Sequence, residues 1–481
     1  MLRPQEALAQ LWSLADLPPE MCNAVTLTGH EPALPSSFCI GTAAQASIAA
    51  SSLMAAEIYR LRSGEGQAVA VDMRDAAILF RSERYLGLNG DPLPEPVDAI
   101  FGLFQCGDGR WVRLHTNFPH HREGVLGVLG GIPHDRETVA RALQSWSASD
   151  FEDVCAEAGL VVTMARSFSE WDAHPHGQVV AKTPPLIIER IGDAPPQPLA
   201  AGRHRPLAGV RVLEMTRAVA GPVVGRSLAS HGADVMLITA PHLPSIVPLA
   251  IDTGRGKLSA QLDLRDAAAR ENLRALARRT DIFLQGYRPG AIAGHGFSPE
   301  ELAKLRPGMI CVSLSAYGDV GPWSGRRGFD SLVQNANGMN LAEADAAREA
   351  RPKPLPCQAN DHASGYLLAF GAMAALHRRA IEGGSWHVRV GLAPTAQWIR
   401  NLGRLESGLT VTDPSRSDVV DRLEDIGSGF GRLTVVKDAA RLSLTPPFWD
   451  RPSVPLGTHA PIWPEYAPAA IHPERSLRPV A

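Results

Sequence analysis

Residues 356–392 read PCQANDHASGYLLAFGAMAALHRRAIEGGSWHVRVGL. The segment predicts a loop, a helix, a turn and a strand. The helix body, from about Ala363 to Arg379, is apolar nearly all round (Tyr366, Leu367, Leu368, Phe370, Met373, Leu376), so it should be buried. Gly365 and Gly371 allow another backbone to approach, and Gly383 with Gly384 supplies a stop. Trp386, Val388, Val390 and Leu392 then alternate with His387, Arg389 and Gly391, the period of a strand. Asp361 stands where loop becomes helix. Free N–H groups and the positive dipole end favour a carboxylate there. It is either a helix cap or a reactive group, and this stretch alone leaves both open.

Working towards the N-terminus, the same pattern recurs. Residues 42–62 form an Ala-rich helix, and Val69, Val71 and Met73 match Val388, Val390 and Leu392 at one constant spacing. Arg60 matches Arg379 at that spacing, and Thr42 falls where Asp361 stands. The first copy keeps the helix–turn–strand shell without the carboxylate, which points to a degenerate internal repeat.

Between the copies lie two further regions. Residues 96–195 contain a hairpin signal, FGLFQCGDGRWVRLH, with Gly107-Asp108-Gly109 at its turn, and then mostly helical pattern: a small α+β domain. His115, His120 and His121 cluster there, without a carboxylate or cysteine at ligand spacing, so no metal site is expected. Residues 192–206 read as a linker. From Leu207 strands alternate with helices: Val210–Met215, Ala233–Thr239, Leu262–Leu264, Ile282–Gln285 and Met309–Leu314, with a helix at 265–279. This is α/β organisation with a parallel sheet. The loop after the first strand, TRAVAGP, lacks GxGxxG and so speaks against a nicotinamide fingerprint. Arg255, Lys257, Arg265, Arg288, Arg326 and Arg327 sit in or beside Gly-containing loops, where a phosphorylated ligand would be held.

Composition sets bounds. The chain has 481 residues, 45% hydrophobic and 20% charged, with a net charge of −3. That balance speaks against nucleic acid as a partner. Six scattered cysteines without a CxxC pair read as reduced thiols, hence a cytoplasmic protein. Cys357, near Asp361, is expected to pack beside the site. No signal peptide or membrane span is expected.

Several motifs carry a family resemblance: LAGVRVLEMTRAVAGP, HGADVMLITAP, GRGKLSAQLDL, TDIFLQGYRPGAIAGHGFSPEEL, LSAYGDVGPWSGRRGFDSLVQ and DHASGYLLAFGAMAALHRR. In this order over residues 207–395 they resemble the class III CoA-transferases, the CaiB/BaiF family, which includes formyl-CoA and carnitine CoA-transferases and the α-methylacyl-CoA racemases. Residues 42–195 resemble the later part of a family chain, including its small domain, so the order is rearranged. The resemblance implies a Rossmann-like parallel-sheet large domain with a smaller α+β domain. The expected division is a degenerate repeat packing on the large domain (1–95), the small domain (96–195), the CoA-binding catalytic large domain (206–400) and a tail returning to it (401–481).

By resemblance Asp361 is the nucleophile, and Val219, Ala220, Leu262, Asp263, Leu264, Arg265, Gly286, Tyr287, Arg288, Arg326, Arg327, Gly328 and Phe329 contact CoA. Two departures fall at Ala240 and within Thr253–Gly256. The implied reaction is acyl-CoA:carboxylate CoA transfer through an aspartyl mixed anhydride and an aspartyl-CoA thioester, with oxyanion donors such as the N–H groups of His362 and Ala363. Coenzyme A and acyl-CoA are substrates, a small carboxylic acid is the partner, no cofactor is permanently bound, and a homodimer is expected. Two alternatives stand beside this reading. A racemase or isomerase of α-substituted acyl-CoA needs an acid/base partner; Phe329 cannot move a proton, which leaves His362. A non-catalytic CoA-binding protein is suggested by the degenerate first copy.

Overall fold

The computed structural model of the chain describes residues 1–94, 96–201 and 204–465. Residue 95, residues 202–203 of the expected linker and residues 466–481 of the expected tail lie outside them.

The N-terminal unit holds helix α1 (Pro4–Ser13), strand β1 (Val25–Thr28), helix α2 (Ile40–Ser63) and strand β2 (Val69–Asp72). The small domain follows, with β3 (Gly102–Gln105), β4 (Trp111–Leu114) and β5 (Val162–Met164) in one antiparallel sheet. Its own apolar cluster, including Phe104, Val112, Val139 and Phe151, holds it together.

A seven-stranded sheet then forms from β6 (Ile187–Gly192), β7 (Arg211–Met215), β8 (Asp234–Thr239), β9 (Lys257–Gln261), β10 (Ile282–Gln285), β11 (Ile310–Ser315) and β12 (Ser385–Gly391). Its order is β9-β8-β7-β10-β11-β12-β6, parallel except for β6 on β12. The first of the parallel strands to enter, β7, lies inside the sheet between β8 and β10. Strand order therefore reverses between β7 and β10, and ligands of doubly wound sheets bind in the crevice at that point.

Both faces of the sheet are covered, as parallel strands require. Val212, Val235, Leu284 and Val312 join one apolar cluster, and their alternates Leu213, Met236, Phe283 and Cys311 join another. On the first face lie helix α3 (Ala220–Ser230), which follows β7, and helix α5 (Ala359–Glu382); the short helix α4 (Asp330–Ala336) precedes α5 in the chain. In α5, Leu367, Leu368, Phe370 and Met373 are fully buried, each contributing about 1.5–3 kcal/mol relative to exposure. A methyl on Gly365 would stand 2.8 Å from the Ala220 carbonyl oxygen, and one on Gly371 would stand 2.6 Å from Val388 Cγ1. These glycines set how closely α5 lies on α3 and β12. Gly365→Ala is expected to cost about 1–3 kcal/mol by overpacking, read as a lower melting temperature.

Helices α2 and α5 pack against each other, and each has 24 residues. Their N-caps share one backbone conformation: Cys39 at φ −77°, ψ 63° and Gln358 at φ −77°, ψ 64°.

Three expectations differ from what is observed. Leu262–Leu264 is not a strand: the paired segment is Lys257–Gln261, because β8 ends at Thr239, opposite Gln261. The helix after it starts at Ala267, capped by Asp266. The chain after residue 400 does not only return to the large sheet. Strand β13 (Ala440–Leu442) pairs with β2, giving a sheet with β1, and the hairpin of strands Leu423–Ser428 and Gly431–Val436 pairs with residues 87–88. Only afterwards does the tail reach the edge of the large sheet, where His459 N donates to Ser259 O at 2.7 Å. Among the described residues no helix is long and apolar enough to cross a membrane.

Candidate active site

Two cavities meet at Asp361. The first, about 290 Å³, lies between the small domain and the start of α5, with Arg113, His115, Gln358 and Cys357 in its walls. The second, about 480 Å³, opens over the loops after β7 and β10, with Arg217, Arg288, Arg326 and Arg327 in its walls. Ala218, Val219, Phe118 and Phe329 line both.

Asp361 is the third residue of α5 and is 8% exposed. Its backbone N–H donates to Asp330 Oδ2 at 3.0 Å. Asp330 opens α4 and is buried; Gln334 Nε2 donates to its other oxygen and to Cys357 O, and Leu355 N donates to Gln334 Oε1. Burial pushes the Asp330 carboxyl up to about 6, opposed by the N–H groups of Asp361 and Asn360 and by Gln334 and His362. The N–H of His362 donates to Gln358 O at 3.0 Å. The first turn of α5 is thus occupied, and the expected oxyanion donors of that helix are engaged elsewhere. The start of α3 offers others. Ala220 and Gly221 are its first residues, Pro222 has no N–H, and Val223 N makes the first intrahelical bond, to Val219 O. The two leading N–H groups therefore have no helical acceptor. Asp361 and Gly365 share one helix face, and Gly365 lies against Ala220, so that face is turned to the start of α3. Just before it, Ala218 adopts φ +68°, a strained conformation for a residue with a side chain.

The second cavity is cationic. Asp361 is the only carboxylate in its wall among the described residues. Arg327 is held below its usual range by burial and then by repulsion from Arg288 and Arg217. Arg217 lies over the rings of Phe118 and Tyr287 at 5.2 and 5.7 Å, and Arg326 pairs with Asp153 at 3.2 Å. Cations that repel one another in a concave, half-dry site suit a polyanion such as a phosphorylated ligand.

Of the residues expected at the site, Val219, Ala220, Gly286, Tyr287, Arg288, Arg326, Arg327, Gly328 and Phe329 are brought together with Asp361 around this cavity. Leu262 and Leu264 are instead core residues beneath the sheet. Asp263 and Arg265 bind each other at the surface; Asp263 reaches the cavity only through His242, at 3.3 Å. His362 lines neither cavity: it is fully buried, stacks on Phe80 and faces Glu83 Oε2 at 3.1 Å. A partner for proton transfer is therefore not found there. Arg255 and Lys257 are buried too. Lys257 Nζ reaches Glu214 at 2.8 Å and Pro222 O at 2.8 Å, and Arg255 packs over Trp449 at 4.2 Å and lies 3.6 Å from Asp252. Neither is available to a phosphate.

Sequence reading missed Arg217, Arg113, Ala218, Asp330 and Gln358. Arg217 carried a signal, being a cation in the loop after the first strand; the others acquire their place only through long-range docking. The histidines of the small domain serve packing: His115 stacks on Phe329 at 3.9 Å and His120 lies against His121 at 4.0 Å. Burial, then Arg113, pushes His115 down to about 3, so it is neutral at neutral pH.

All six cysteines are free. Burial pushes the Cys357 thiol up to about 12, and a thiol without thiolate character is a poor nucleophile. Iodoacetamide at pH 8 is therefore expected to leave Cys357 unmodified in the native protein, and Cys357→Ser to retain activity within about threefold. Peptide mapping after alkylation and a rate measurement check this; rapid labelling of Cys357 with loss of rate would contradict it.

The family model described as CoA-transferase family III matches residues 20–183 and 207–421. The chain belongs to this family. Among its curated members, Acetyl-coenzyme A transferase nodX of Hypoxylon pulicicidum is 30% identical over 331 residues, covering 63% of this chain and 55% of that protein. Probable fatty acyl-CoA transferase Rv3272 of Mycobacterium tuberculosis is 34% identical over 230 residues, 44% of this chain and 58% of that protein. A crystal structure of Rv3272 aligns at 33% identity over 41% of this chain and 56% of that one, with a TM-score of 0.39. The chain thus spans a little over half the length of these two curated relatives. The family match falls in two stretches, one on each side of residues 184–206.

Proposed function

We propose that this family member is an acyl-CoA:carboxylate CoA-transferase with Asp361 as nucleophile and with coenzyme A thioesters and small carboxylic acids as substrates. The observation that carries the reading is the position of Asp361, where a cationic cavity at the sheet switch point meets a second cavity walled by the small domain. The large domain is read as Rossmann-like on the strength of its strand order, and the CoA phosphates would lie against Arg217, Arg288 and Arg327. Distant phosphate binding would hold the thioester against the carboxylate.

An Asp361 carboxylate oxygen attacks the thioester carbonyl, the C–S bond breaks, and CoA thiolate leaves a mixed anhydride. The thiolate attacks the aspartyl carbonyl and expels the donor acid, giving an aspartyl-CoA thioester. An acceptor carboxylate attacks that thioester and releases thiolate, which takes the acyl group from the new anhydride and frees Asp361. The N–H groups of Ala220 and Gly221 are the donors assigned to the oxyanions.

In this reading α2 is the degenerate copy of α5. Its third residue is Thr42, whose N–H donates to Glu31 Oε1 at 2.6 Å, as the Asp361 N–H donates to Asp330 Oδ2. The copy keeps the incoming carboxylate and lacks the nucleophile. A cytoplasmic homodimer completes the proposal, and light scattering checks the assembly. The isomerase reading gains nothing from His362 and little from His115, whose ring is too weakly basic for a neutral-pH proton shuttle.

The test is covalent trapping. Wild type and Asp361→Ala are incubated with a panel of acyl-CoAs, quenched with hydroxylamine or borohydride, and mapped by mass spectrometry. Modification at Asp361, absent from the variant, is the expected result. Measurable CoA binding with no adduct from any donor would overturn the proposal.

A further inference from the structure

Eight cationic side chains are buried among the described residues. Arg81, Arg166, Arg226, Arg255, Lys257 and Arg379 each meet a carboxylate. Arg62 donates to three backbone carbonyls, of Ala200, Pro206 and Ala208. Arg113 alone has neither. It is 7% exposed, and its guanidinium makes no hydrogen bond or ion pair among the described residues. It packs over the Phe101 ring at 5.3 Å and lines the cavity that carries Asp361. Burial lowers its pKa to about 10, Asp330 supports its charge from beyond hydrogen-bond range, and Arg351 opposes it. It is therefore cationic at neutral pH.

A buried charge without a partner is among the most destabilising arrangements a fold can hold. Two further buried polar atoms in the same walls have no partner, His115 Nδ1 and Gln358 Oε1. Exposed Arg84 adds a second cation to the cavity wall. The cavity is thus built to receive an anion that also bears hydrogen-bonding groups, at a place separate from the arginines of the other cavity.

Resting on the reading of Asp361 as nucleophile, we propose that Arg113 receives the second carboxylate of a short dicarboxylic acid, whose first carboxylate is the one transferred. The acceptor acid and the acyl group of the donor thioester occupy this cavity in turn, so Arg113 would select both. A planar guanidinium matches a carboxylate with two parallel N–H bonds.

The test pairs acids of equal length: succinate with butyrate, and glutarate with valerate. Wild type, Arg113→Met and Arg113→Lys are assayed as acceptors vary, with a donor shown to form the Asp361 adduct. Wild type is expected to prefer the diacid of at least one pair, and Arg113→Met to raise the KM for that diacid by about 100-fold while leaving the monoacid within threefold. Arg113→Lys should recover part of the preference. A binding readout runs in parallel: the diacid should raise the melting temperature of wild type more than that of Arg113→Met, whereas sulfate, which the arginines of the other cavity also suit, should raise both alike. No preference in wild type, a preference that survives in Arg113→Met, or equal stabilisation of the two proteins by the diacid would overturn the assignment. Arg113 would then be only a distant counter-charge for Asp330. An absent Asp361 adduct would instead overturn the parent reading, and the melting experiment would still decide whether Arg113 binds diacids.

Discussion

Asp361→Ala is expected to lower CoA transfer by about a thousandfold or more, corresponding to ~4 kcal/mol or more of lost transition-state stabilisation. The substitution removes the atom that would attack the thioester and leaves the surroundings in place. The Asp361 N–H still donates to Asp330, because that bond uses the backbone. The arginines of the second cavity are untouched, so CoA affinity should stay within about threefold. Asp361 stands at a cavity wall and its truncation leaves the buried helix body intact, so the variant should melt close to the wild-type temperature. Asp361→Asn should behave alike, being of equal size but unable to form the anhydride. Steady-state rates, CoA titration calorimetry and melting curves check the three parts separately. A variant that retains a tenth of the wild-type rate would remove Asp361 from the nucleophile role. A variant that loses CoA binding along with rate would point to a positioning role instead.

Lys257→Met is expected to destabilise the fold by about 3–5 kcal/mol. Lys257 and Glu214 are both fully enclosed, and Thr216 donates to the same carboxylate at 2.6 Å. Without the ammonium group, Glu214 is a buried carboxylate facing one hydroxyl. Burial already holds its pKa above the usual range, with Lys257 the main opposing influence. Loss of Lys257 raises it further. A carboxyl whose folded pKa lies above its unfolded value adds no penalty while protonated in both states, and penalises the folded state as pH rises past the unfolded value. The Lys257→Met deficit should therefore be small near pH 4 and grow towards neutrality. Lys257→Met combined with Glu214→Leu should recover much of the loss. Lys257 also donates to Pro222 O at the start of α3, so the single variant should weaken CoA binding as well. Denaturant melts at several pH values decide this. A deficit independent of pH would assign the effect to lost packing of the lysine stem.

Much of the scaffold is legible in local pattern. The body of α5 from Ala363 to Arg379, the strand behind it and the hairpin around Gly107-Asp108-Gly109 follow from periodicity and turn residues, while the helix runs further at both ends, from Ala359 to Glu382. Arg288, Arg326 and Arg327 could be placed because loops at the carboxyl ends of parallel strands gather at one edge. Arg255 and Lys257 were misplaced because a cation beside glycines looks the same whether it meets a phosphate or a buried carboxylate. The distinguishing partners, Asp252 and Glu214, are assigned only by packing. Leu262–Leu264 continued the apolar alternation past the end of the neighbouring strand. Arg113 was not legible at all: in WVRL it is one residue of a short strand, and its meaning depends on an absent partner, which no pattern of neighbours records.

The first cavity is walled on one side by residues near 101–118 and on the other by residues near 354–361 of the same chain. Its assembly is therefore first order in protein. The connecting chain fixes the local concentration of one wall around the other, and dilution does not change it. A wall supplied by a separate chain would be lost by mass action at low protein concentration, whereas dissociation of the proposed homodimer would leave these two walls joined.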